Sequence, residues 1–380
     1  MDKNNILQEI YACEDCKTCM DYCDTFMVSN DLLKSPNGRL KIAEKIFTNK
    51  EVSEEETIGL YTCTLCAECD LVCQQNISIS KIIHSSKIKL VEQNKAPLVI
   101  HTKIIKDIME KDNSVNGNPD ERLEWLPEEF RDEELYEDKE SDTLLFLGCM
   151  SSFRVKESAT AAYKILKKCN YDFKIFKNEP CCGEYIYSAG DINLAKKVFQ
   201  TNLELFKSKG IKNLIVTCGG CLYAFDQVYP LYIKDYKIKV RHIVDVIYEL
   251  ESQNKIDLIP LSKSITYHDP CRLGRKYSNG PLYLEPRVLL EKCGIDVKEL
   301  SQNHSECPCC GAGSGIRGVD SSISIEIGKK IFEKTQTKEI ASSCPLCDFN
   351  FRYVNYKTQS EKEIRYITDY ILEAIEKLKN

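Results

Sequence analysis

The sequence predicts an α/β protein in which a helical, cysteine-rich N-terminal domain precedes two duplicated lobes built on parallel sheets. Three observations support this fold class. Eight cysteines form two identically spaced runs within residues 13–73. From residue 143 onward, short apolar segments alternate with amphipathic helical patterns, which is typical of parallel sheets. Ten further cysteines form two matching sets of five within residues 149–347.

Composition narrows the class of protein further. The chain of 380 residues is long enough for two or three domains, and cysteine is its exceptional residue, with 21 copies. We see no signal-peptide core at the start and no apolar run that could span a membrane. We therefore expect a cytoplasmic protein, held at a membrane only through a partner, whose cysteines bind metal instead of forming disulfides. A net charge of −6 and the lack of a basic stripe argue against nucleic-acid binding.

The first domain, predicted over residues 1–95, contains the two matching runs. Each run has the spacing C-x-x-C-x-x-C-x-x-x-C. This is the pattern of a two-cluster ferredoxin, in which three thiolates hold one cluster and the fourth reaches the other. We predict one cubane 4Fe–4S cluster on Cys13, Cys16, Cys19 and Cys73, and a second on Cys63, Cys66, Cys69 and Cys23. Zinc would need two separated pairs of thiolates, which the third cysteine of each run fits poorly.

Two features of this domain depart from a small ferredoxin. Asp24 and Gln74 stand where a proline usually follows the fourth cysteine. A helical insert, SPNGRLKIAEKIF (35–47), also lengthens the segment between the two runs. Neither feature removes a ligand.

Residues 96–142 are predicted to be a helical and acidic linker. Helical patterning covers residues 98–111, and residues 128–142 then hold nine acidic side chains against two basic ones. We interpret the acidic stretch as a solvated segment in preference to a strip that docks a partner.

Two α/β lobes are predicted, over residues 143–262 and 263–380. The expected strands are 143–148, 172–176, 213–217, 264–268, 296–300 and 338–343. The expected helices are 155–169, 193–209, 242–251, 321–335 and 364–379. In the last helix the apolar stripe consists of Ile364, Ile367, Ile371, Ile375 and Leu378.

Each lobe places five cysteines at the carboxyl ends of its strands, where loops of a parallel sheet meet. The first set is Cys149, Cys181, Cys182, Cys218 and Cys221; the second is Cys271, Cys309, Cys310, Cys344 and Cys347. A cubane needs one thiolate per iron, hence four. Either one thiol is a spare, or the cluster is not a simple cubane and one thiolate bridges two irons, which adjacent cysteines favour. Gly183 and Gly311 would let the backbone pass close to such a cluster.

Six motifs around these cysteines resemble the CCG domains of heterodisulfide reductase: GCM (148–150), CCGEYIYSAGD (181–191), CGGCLYAF (218–225), YHDPCRLGR (267–275), CCGAGSG (309–315) and CPLCDFNF (344–351). With the ferredoxin-type domain in front, the layout is similar to that of the D subunit of that enzyme. The resemblance implies a non-cubane 4Fe–4S cluster on the five cysteines of each lobe. It also implies a disulfide substrate between them, the coenzyme M–coenzyme B heterodisulfide of methanogenesis or a related thiol pair. All ten lobe cysteines are then catalytic candidates.

The same layout is also similar to the iron–sulfur subunits of FAD-linked glycolate, lactate and glycerol-3-phosphate dehydrogenases. That resemblance implies an electron relay with no substrate on this chain. Both five-cysteine sets are complete here, so we favour thiol–disulfide chemistry. No flavin motif is visible, and either interpretation therefore needs a flavoprotein or a cytochrome b-type redox partner. A third hypothesis places a structural zinc in one lobe.

Overall fold

The computed structural model, which describes residues 2–131 and 139–377, is α/β as the sequence predicts. Helices alone build the N-terminal domain, and two parallel sheets follow. The helices before the first strand are α1 (Lys3–Tyr11), α2 (Thr18–Asp21), α3 (Asp24–Ser29), α4 (Pro36–Phe47), α5 (Glu54–Tyr61), α6 (Glu68–Leu71), α7 (Ile79–Glu92) and α8 (Val99–Lys111). Short 3₁₀ turns occupy Leu32–Lys34, Pro119–Glu121 and Glu128–Phe130 in this part of the chain.

The helical insert between the cysteine runs is α4. The Ser35 hydroxyl accepts the Gly38 N–H and Pro36 occupies the first turn, which together fix the start of the helix. Its apolar face, with Leu40 and Ile46, packs into one core with α1, α5 and α7. The insert is therefore an integral part of the N-terminal domain.

The segment predicted as a linker packs against the first lobe over much of its length. His101, Ile105 and Ile108 of α8 are buried, and so are Trp125 and Leu126. The solvated character assigned to the acidic stretch remains a prediction, because residues 132–138 lie outside the described residues.

The first lobe contains a parallel sheet in the order β1-β2-β3. Its strands are β1 (Thr143–Phe146), β2 (Asn213–Val216) and β3 (Lys239–His242). Its helices are α9 (Gly148–Phe153), α10 (Lys156–Lys168), α11 (Glu184–Ala189), α12 (Ile192–Ser208), α13 (Gly219–Leu222), α14 (Tyr229–Tyr232) and α15 (Ile243–Ser252). A π-helical turn, Tyr223–Val228, joins α13 to α14.

The second lobe repeats this plan with one more strand, in the order β5-β4-β6-β7, again all parallel. Its strands are β4 (Lys263–His268), β5 (Ile295–Lys298), β6 (Glu339–Ser342) and β7 (Glu363–Tyr366). Its helices are α16 (Leu284–Lys292), α17 (Ile316–Val319), α18 (Ser321–Lys334), α19 (Pro345–Thr358) and α20 (Ile367–Glu376). The 3₁₀ turns here are His304–Glu306 and Gly313–Gly315.

The segment expected as a strand at residues 172–176 touches β1 through a single bridge, between Lys174 and Leu144. It occupies the place that β5 holds in the second lobe. Phe173 and Ile175 are fully buried, so the apolar pattern of this segment reflects their burial and not the pairing of a regular strand.

Strands β3 and β7 were not predicted from the sequence, for one shared reason. His242 and Tyr366 end these strands and at the same time are the N-cap residues of α15 and α20, so no turn separates strand from helix. Ile364, expected on the stripe of the last helix, lies instead in β7. Ile367 and Ile371 are buried in α20 as expected, whereas Leu378 lies outside the described residues.

Over the ranges 2–131 and 139–377, no helix combines the length and apolar character needed to cross a bilayer.

Candidate iron–sulfur centres

The structure gathers the eight N-terminal cysteines into two groups of four, each around a separate cavity. The outer cysteine set consists of Cys13, Cys16, Cys19 and Cys73. The inner cysteine set consists of Cys23, Cys63, Cys66 and Cys69. Each group combines three thiols of one run with the fourth thiol of the other, the grouping that the sequence predicts. Their role as ligands stays a prediction.

The loops that hold the two sets have the same local conformation. Asp15 and Lys17 in the first loop have positive φ angles of 56° and 65°, and Leu65 and Ala67 at the matching positions have 55° and 66°. The backbone therefore curls around the thiols at equivalent points. The Leu65 N–H donates to the Cys63 sulfur at 3.4 Å, a contact that stabilises a charged sulfur.

Helix α4 contacts both sets. The Asn37 amide nitrogen lies 4.0 Å from the Cys13 sulfur of the outer set. The Arg39 guanidinium, almost fully buried, lies 3.9 Å from the Cys23 sulfur of the inner set. The two sets differ in exposure, because Cys16 is exposed to solvent whereas Cys63 is buried.

The five cysteines of the first lobe converge at the carboxyl edge of its sheet. Cys181 and Cys221 both donate hydrogen bonds to Cys182. The charge of Cys182 also acts on Cys149, whose sulfur lies 3.3 Å from the Ser114 hydroxyl. Cys218 completes the group through a hydrogen bond from Cys221.

The second lobe repeats this arrangement. Cys309 and Cys347 both donate hydrogen bonds to Cys310. Cys347 also donates to Cys344, and the charge of Cys271 acts on Cys309 and Cys310. The lobe therefore brings together all five thiols that the sequence assigned to it.

The second member of each vicinal pair is the acidic one. Hydrogen bonds from Cys309 and Cys347 lower the pKa of Cys310 to about 6. Hydrogen bonds from Cys181 and Cys221 likewise hold the pKa of Cys182 well below the usual range of a thiol. Hydrogen bonds from Cys218 and Cys347 also hold the pKa of Cys344 well below the usual range of a thiol, so Cys182, Cys310 and Cys344 are the lobe thiols most ready to act as thiolates.

The glycines after the vicinal pairs have a structural reason of their own, and their expected role beside a cluster stays a prediction. Gly183 and Gly311 have φ angles of +76° and +83°, and their N–H groups donate to the sulfurs of Cys181 and Cys309 at 3.5 and 3.4 Å. A Cβ at Gly183 would lie 2.9 Å from the ring of Phe199 on α12, and not in the space between the thiols. The glycines therefore permit the turn and the close packing of the next helix.

Gly148, just before Cys149, is the glycine that allows close approach to the thiols. Its φ angle is +72°, and a Cβ there would lie 2.9 Å from the Cys221 sulfur. This role was not predicted from the sequence, although the GC pair after the strand was visible.

The four cysteine sets contact one another in one order. Within the N-terminal domain, Cys19 of the outer set lies in α2 and Cys23 of the inner set follows two residues after that helix ends, so one short segment joins the two sets. Cys66 of the inner set and Cys309 of the second lobe line the same cavity and lie close enough for their thiols to interact. Cys218 of the first lobe donates a hydrogen bond to Cys344 of the second. The second lobe thus lies between the N-terminal domain and the first lobe.

Buried charges fasten the inner set to the second lobe. The Asp24 carboxylate, at the position where a proline was expected, accepts the Cys309 N–H at 2.7 Å. Arg275 donates to the Cys66 carbonyl at 2.8 Å and to the Cys307 carbonyl at 2.6 Å, and pairs with Glu68 at 3.2 Å. Burial raises the pKa values of Glu68 and Asp24, and the positive charge of Arg275 acts against both shifts.

A cavity of about 270 Å³ opens where the N-terminal domain and both lobes meet. Arg272 and Lys276 each stack on the Tyr223 ring at 4.7 Å, and Arg272 pairs with Glu184 at 2.6 Å. Among the lining residues, Glu184 follows Cys182 by two positions and Arg272 directly follows Cys271, but none of the lining residues is a cysteine. A larger cavity of about 1040 Å³ lies between α10 and α20 and is lined by charged side chains such as Asp369.

The donor chemistry fits iron–sulfur clusters. Within the described ranges, no three Cys, His, Asp or Glu side chains are arranged to hold a single metal ion. The thiols instead surround shared spaces, with N–H donors aimed at their sulfurs. All-thiolate ligation with N–H···S bonds is the environment of an iron–sulfur cluster. Cys307 and Cys293 are buried apart from these groups, and the Cys307 carbonyl is held by Arg275.

Two domain families match the chain. Residues 9–77 match the family described as "4Fe-4S dicluster domain". Residues 143–226 and 265–352 each match the family described as "Cysteine-rich domain", or CCG. The chain is therefore an iron–sulfur electron-transfer protein of the oxidoreductase class, with one dicluster domain followed by two CCG domains. With that order of domains, it belongs to the iron–sulfur proteins that resemble the D subunit of heterodisulfide reductase.

Three relatives define the range of similarity. The D subunit of dihydromethanophenazine:CoB–CoM heterodisulfide reductase from Methanosarcina barkeri is 27% identical over 97% of this chain and 95% of that relative. The B subunit of fumarate reductase (CoM/CoB) from Methanothermobacter marburgensis is 23% identical over 91% of this chain and 68% of that relative. EtfAB:quinone oxidoreductase of Syntrophomonas wolfei is 31% identical over 55% of this chain and 30% of that protein.

Proposed function

We propose that this chain is an oxidoreductase subunit that receives electrons on two cubane 4Fe–4S clusters and uses two non-cubane clusters, one per lobe, to reduce a disulfide. The substrate is the coenzyme M–coenzyme B heterodisulfide or a similar thiol pair. A flavoprotein or a cytochrome b-type redox partner supplies the electrons, either in the cytoplasm or at a membrane surface.

The observation that supports disulfide chemistry is the meeting of two complete five-thiol sets at the Cys218–Cys344 contact. When bound, the clusters supply electrons one at a time; two electrons and two protons convert R–S–S–R′ into RSH and R′SH. Such a reaction benefits from two one-electron centres beside one bond. A simple cubane in each lobe would leave one of the five thiols without an iron.

The protein around the thiols also suits a reaction on a bound molecule. The cavity at the three-domain junction provides an entry beside both lobes. Its Arg272 contributes to the low pKa of Cys182 and is itself held in place by Glu184. Asp24 and Arg275 hold the domains at fixed separation, so the distance between the inner set and the second lobe is maintained.

The second candidate is an electron relay with no substrate on this chain. Two observations favour it: the similarity to EtfAB:quinone oxidoreductase, and the lack of any cysteine among the residues that line the junction cavity. Under this hypothesis the lobes transfer electrons between a flavoprotein and a membrane-bound or soluble acceptor.

Iron content is the first test. Anaerobically purified protein should hold about sixteen irons per chain if four 4Fe–4S clusters are present. About twelve irons together with one zinc would instead favour a structural zinc in one lobe. Cys310→Ser should lose the second-lobe cluster, whereas Cys307→Ser, a neighbouring cysteine outside the five-thiol set, should keep the full content.

The decisive test is EPR of the oxidised protein with coenzyme M thiol, with the matching alcohol 2-hydroxyethanesulfonate as control. A new signal with the thiol alone supports substrate binding at a lobe cluster. If fully iron-loaded protein gives no such signal with any thiol tested, the relay replaces the reductase as the function.

A further inference from the structure

Two positive side chains are buried beside the inner cysteine set without a carboxylate partner. Lys87 on α7 is 0% exposed and Arg39 on α4 is 1% exposed. Among the described residues, neither forms an ion pair with a carboxylate; Lys87 has a hydroxyl and an aromatic ring as partners, and Arg39 has oxygens of neutral groups and one sulfur. Buried charges are normally paired, so each of these two side chains needs a negative charge nearby.

Lys87 lies at the point where the three domains meet. Its ammonium donates to the Ser314 hydroxyl of the second lobe at 2.8 Å and stacks on the Tyr61 ring at 4.9 Å. Ser314 in turn donates to the Ser188 carbonyl of the first lobe at 3.4 Å. A Cβ at Gly190 would lie 2.8 Å from the Lys87 backbone, so the first lobe closes directly over this residue.

The polypeptide alone compensates this charge poorly. Burial lowers the pKa of Lys87 to about 8, and the negative charge of Cys63 acts against that shift. Lys87 is linked to the inner set through its neighbours: Tyr61 lies two residues before Cys63, and Gly313, next to Ser314, packs directly on the Thr64 backbone. Arg39 lies 3.9 Å from the sulfur of Cys23, in the same set. The other cation at this set, Arg275, is already neutralised by Glu68 at 3.2 Å.

The outer set has a different electrostatic environment. Its cavity is lined by the Asn37 amide and by two exposed charges of opposite sign, Glu14 and Lys17. Asn37 also donates to the Asp15 carboxylate at 2.7 Å, which pairs with the exposed Lys41 at 3.6 Å. Cys16 itself is open to water, which screens any charge nearby.

We infer that Lys87 and Arg39 are the counter-charges of the inner 4Fe–4S cluster, and that they make it easier to reduce than the outer cluster. Adding an electron to a cluster held by four thiolates increases its negative charge, and an unscreened cation nearby stabilises that product. Electrons that arrive at the exposed outer cluster are thereby drawn inward, toward the second lobe. This inference rests on the proposed cluster assignment, and its residues tune potential without touching substrate.

The test is a redox titration of the two cubane clusters, followed by EPR on the complete iron-loaded chain. A soluble paramagnetic relaxing agent identifies the outer cluster, because Cys16 makes it accessible. In the wild type the inner cluster should titrate at the higher potential. Lys87→Met and Lys87→Gln should shift the inner midpoint to lower potential and leave the outer midpoint in place. Lys87→Arg, which keeps the charge, should restore most of the difference.

Lys89→Met is the matched control. Lys89 is two residues away on the same helix, but its side chain is 40% exposed and pairs with Glu92 at 3.0 Å, so its removal should move neither midpoint. Equal midpoints in wild type and Lys87→Met at full iron content would overturn the inference, as would an equal shift in Lys89→Met. Loss of the inner cluster in both neutral variants but not in Lys87→Arg would support it.

The same samples separate this inference from the proposed reductase function. If added thiols leave the EPR of the lobe clusters unchanged while Lys87→Met still shifts the inner midpoint, the reductase function fails and the inference stands. If the protein binds no iron under anaerobic reconstitution, both fail.

Discussion

At the scale of single residues, Gly148 is the position where the backbone comes closest to the first-lobe thiols. Its φ angle of +72° is unfavourable for other residues, and a Cβ would lie 2.9 Å from the Cys221 sulfur. Gly148→Ala should therefore displace the thiol set and lower the iron content by the four irons of one cluster. The measurement is iron per chain after anaerobic purification.

Gly210→Ala separates the thiol clash from the backbone strain. Gly210 has a similar φ angle of +68°, but no atom lies within 4 Å of the position of a Cβ. This variant should lose about 1 kcal/mol of stability from strain and keep all its iron. Equal iron content in the two variants would show that the Gly148 backbone does not limit the thiol site.

Buried histidines make stability depend on pH. Burial lowers the pKa of His84 to about 3, although its ring donates to the Tyr187 carbonyl at 2.6 Å. An unfolded histidine titrates near 6.5, so below that pH the unfolded state binds a proton that the folded state refuses. The free energy of unfolding should then fall as the pH decreases from 6.5 toward 3. For His84 alone the loss between pH 7 and pH 5 is about 2 kcal/mol.

Denaturant unfolding at pH 7 and pH 5 measures this loss. His84→Gln keeps a donor for the Tyr187 carbonyl and does not titrate, so it should reduce the pH-dependent loss by about 2 kcal/mol. His304→Gln serves as the control, because that side chain is exposed. An unchanged pH dependence in His84→Gln would mean that the pKa of His84 is not lowered in the folded protein.

At the scale of elements, one arginine fastens the loop of the inner set to the loop before the second vicinal pair. Arg275 bonds the Cys66 and Cys307 carbonyls and pairs with Glu68, and both charged side chains are 4% exposed. Arg275→Met would leave the Glu68 carboxylate buried and unpaired. We expect a loss of about 3 kcal/mol in the free energy of unfolding, measured anaerobically with denaturant.

Arg241→Met is the matched control for Arg275→Met. Arg241 also bridges two carboxylates, those of Asp245 and Glu249, but its side chain is 38% exposed. Arg241→Met should lower the free energy of unfolding by about 1 kcal/mol or less, because ion pairs exposed to solvent are weak. Similar losses in the two variants would mean that Arg275 does not hold the loops together.

The elements also show what the sequence could predict. The spacing of the cysteines predicts that Cys23 shares a cluster with the second run and Cys73 with the first. These thiols line common cavities, and their role as ligands stays a prediction. Strands β3 and β7 were missed because each runs directly into a helix at an N-cap residue, His242 or Tyr366, without a turn. Lys87, Arg39 and Arg275 were missed because their significance lies in burial between domains, which no local pattern encodes.

At the scale of the whole molecule, the duplicated lobes are not equivalent. They share the order of three equivalent strands and the interactions between thiols around the second vicinal cysteine. Among the thiol contacts of the described residues, the Cys66–Cys309 pair joins the inner set to the second lobe, and no thiol pair joins the inner set to the first lobe. Duplication was visible in the sequence, whereas this asymmetry depends on docking and was not.

The asymmetry predicts an order of electron arrival. Electrons should reach the second-lobe cluster before the first-lobe cluster, because the thiol contacts run from Cys66 to Cys309 and from Cys344 to Cys218. A reduced small ferredoxin is a suitable donor, since it is too large to reach the buried lobe thiols directly. Rapid-freeze EPR then follows each cluster.

Matched serine substitutions of the last cysteine in each lobe test this order. Cys221→Ser should remove the first-lobe cluster and leave reduction of the second lobe unaffected. Cys347→Ser should remove the second-lobe cluster and, because the connection is broken, slow reduction of the intact first-lobe cluster by about tenfold or more, the effect of about 1.4 kcal/mol on a rate barrier. If first-lobe reduction in Cys347→Ser keeps its wild-type rate, electrons enter the lobes independently, and the linear order of the four sets is not their path.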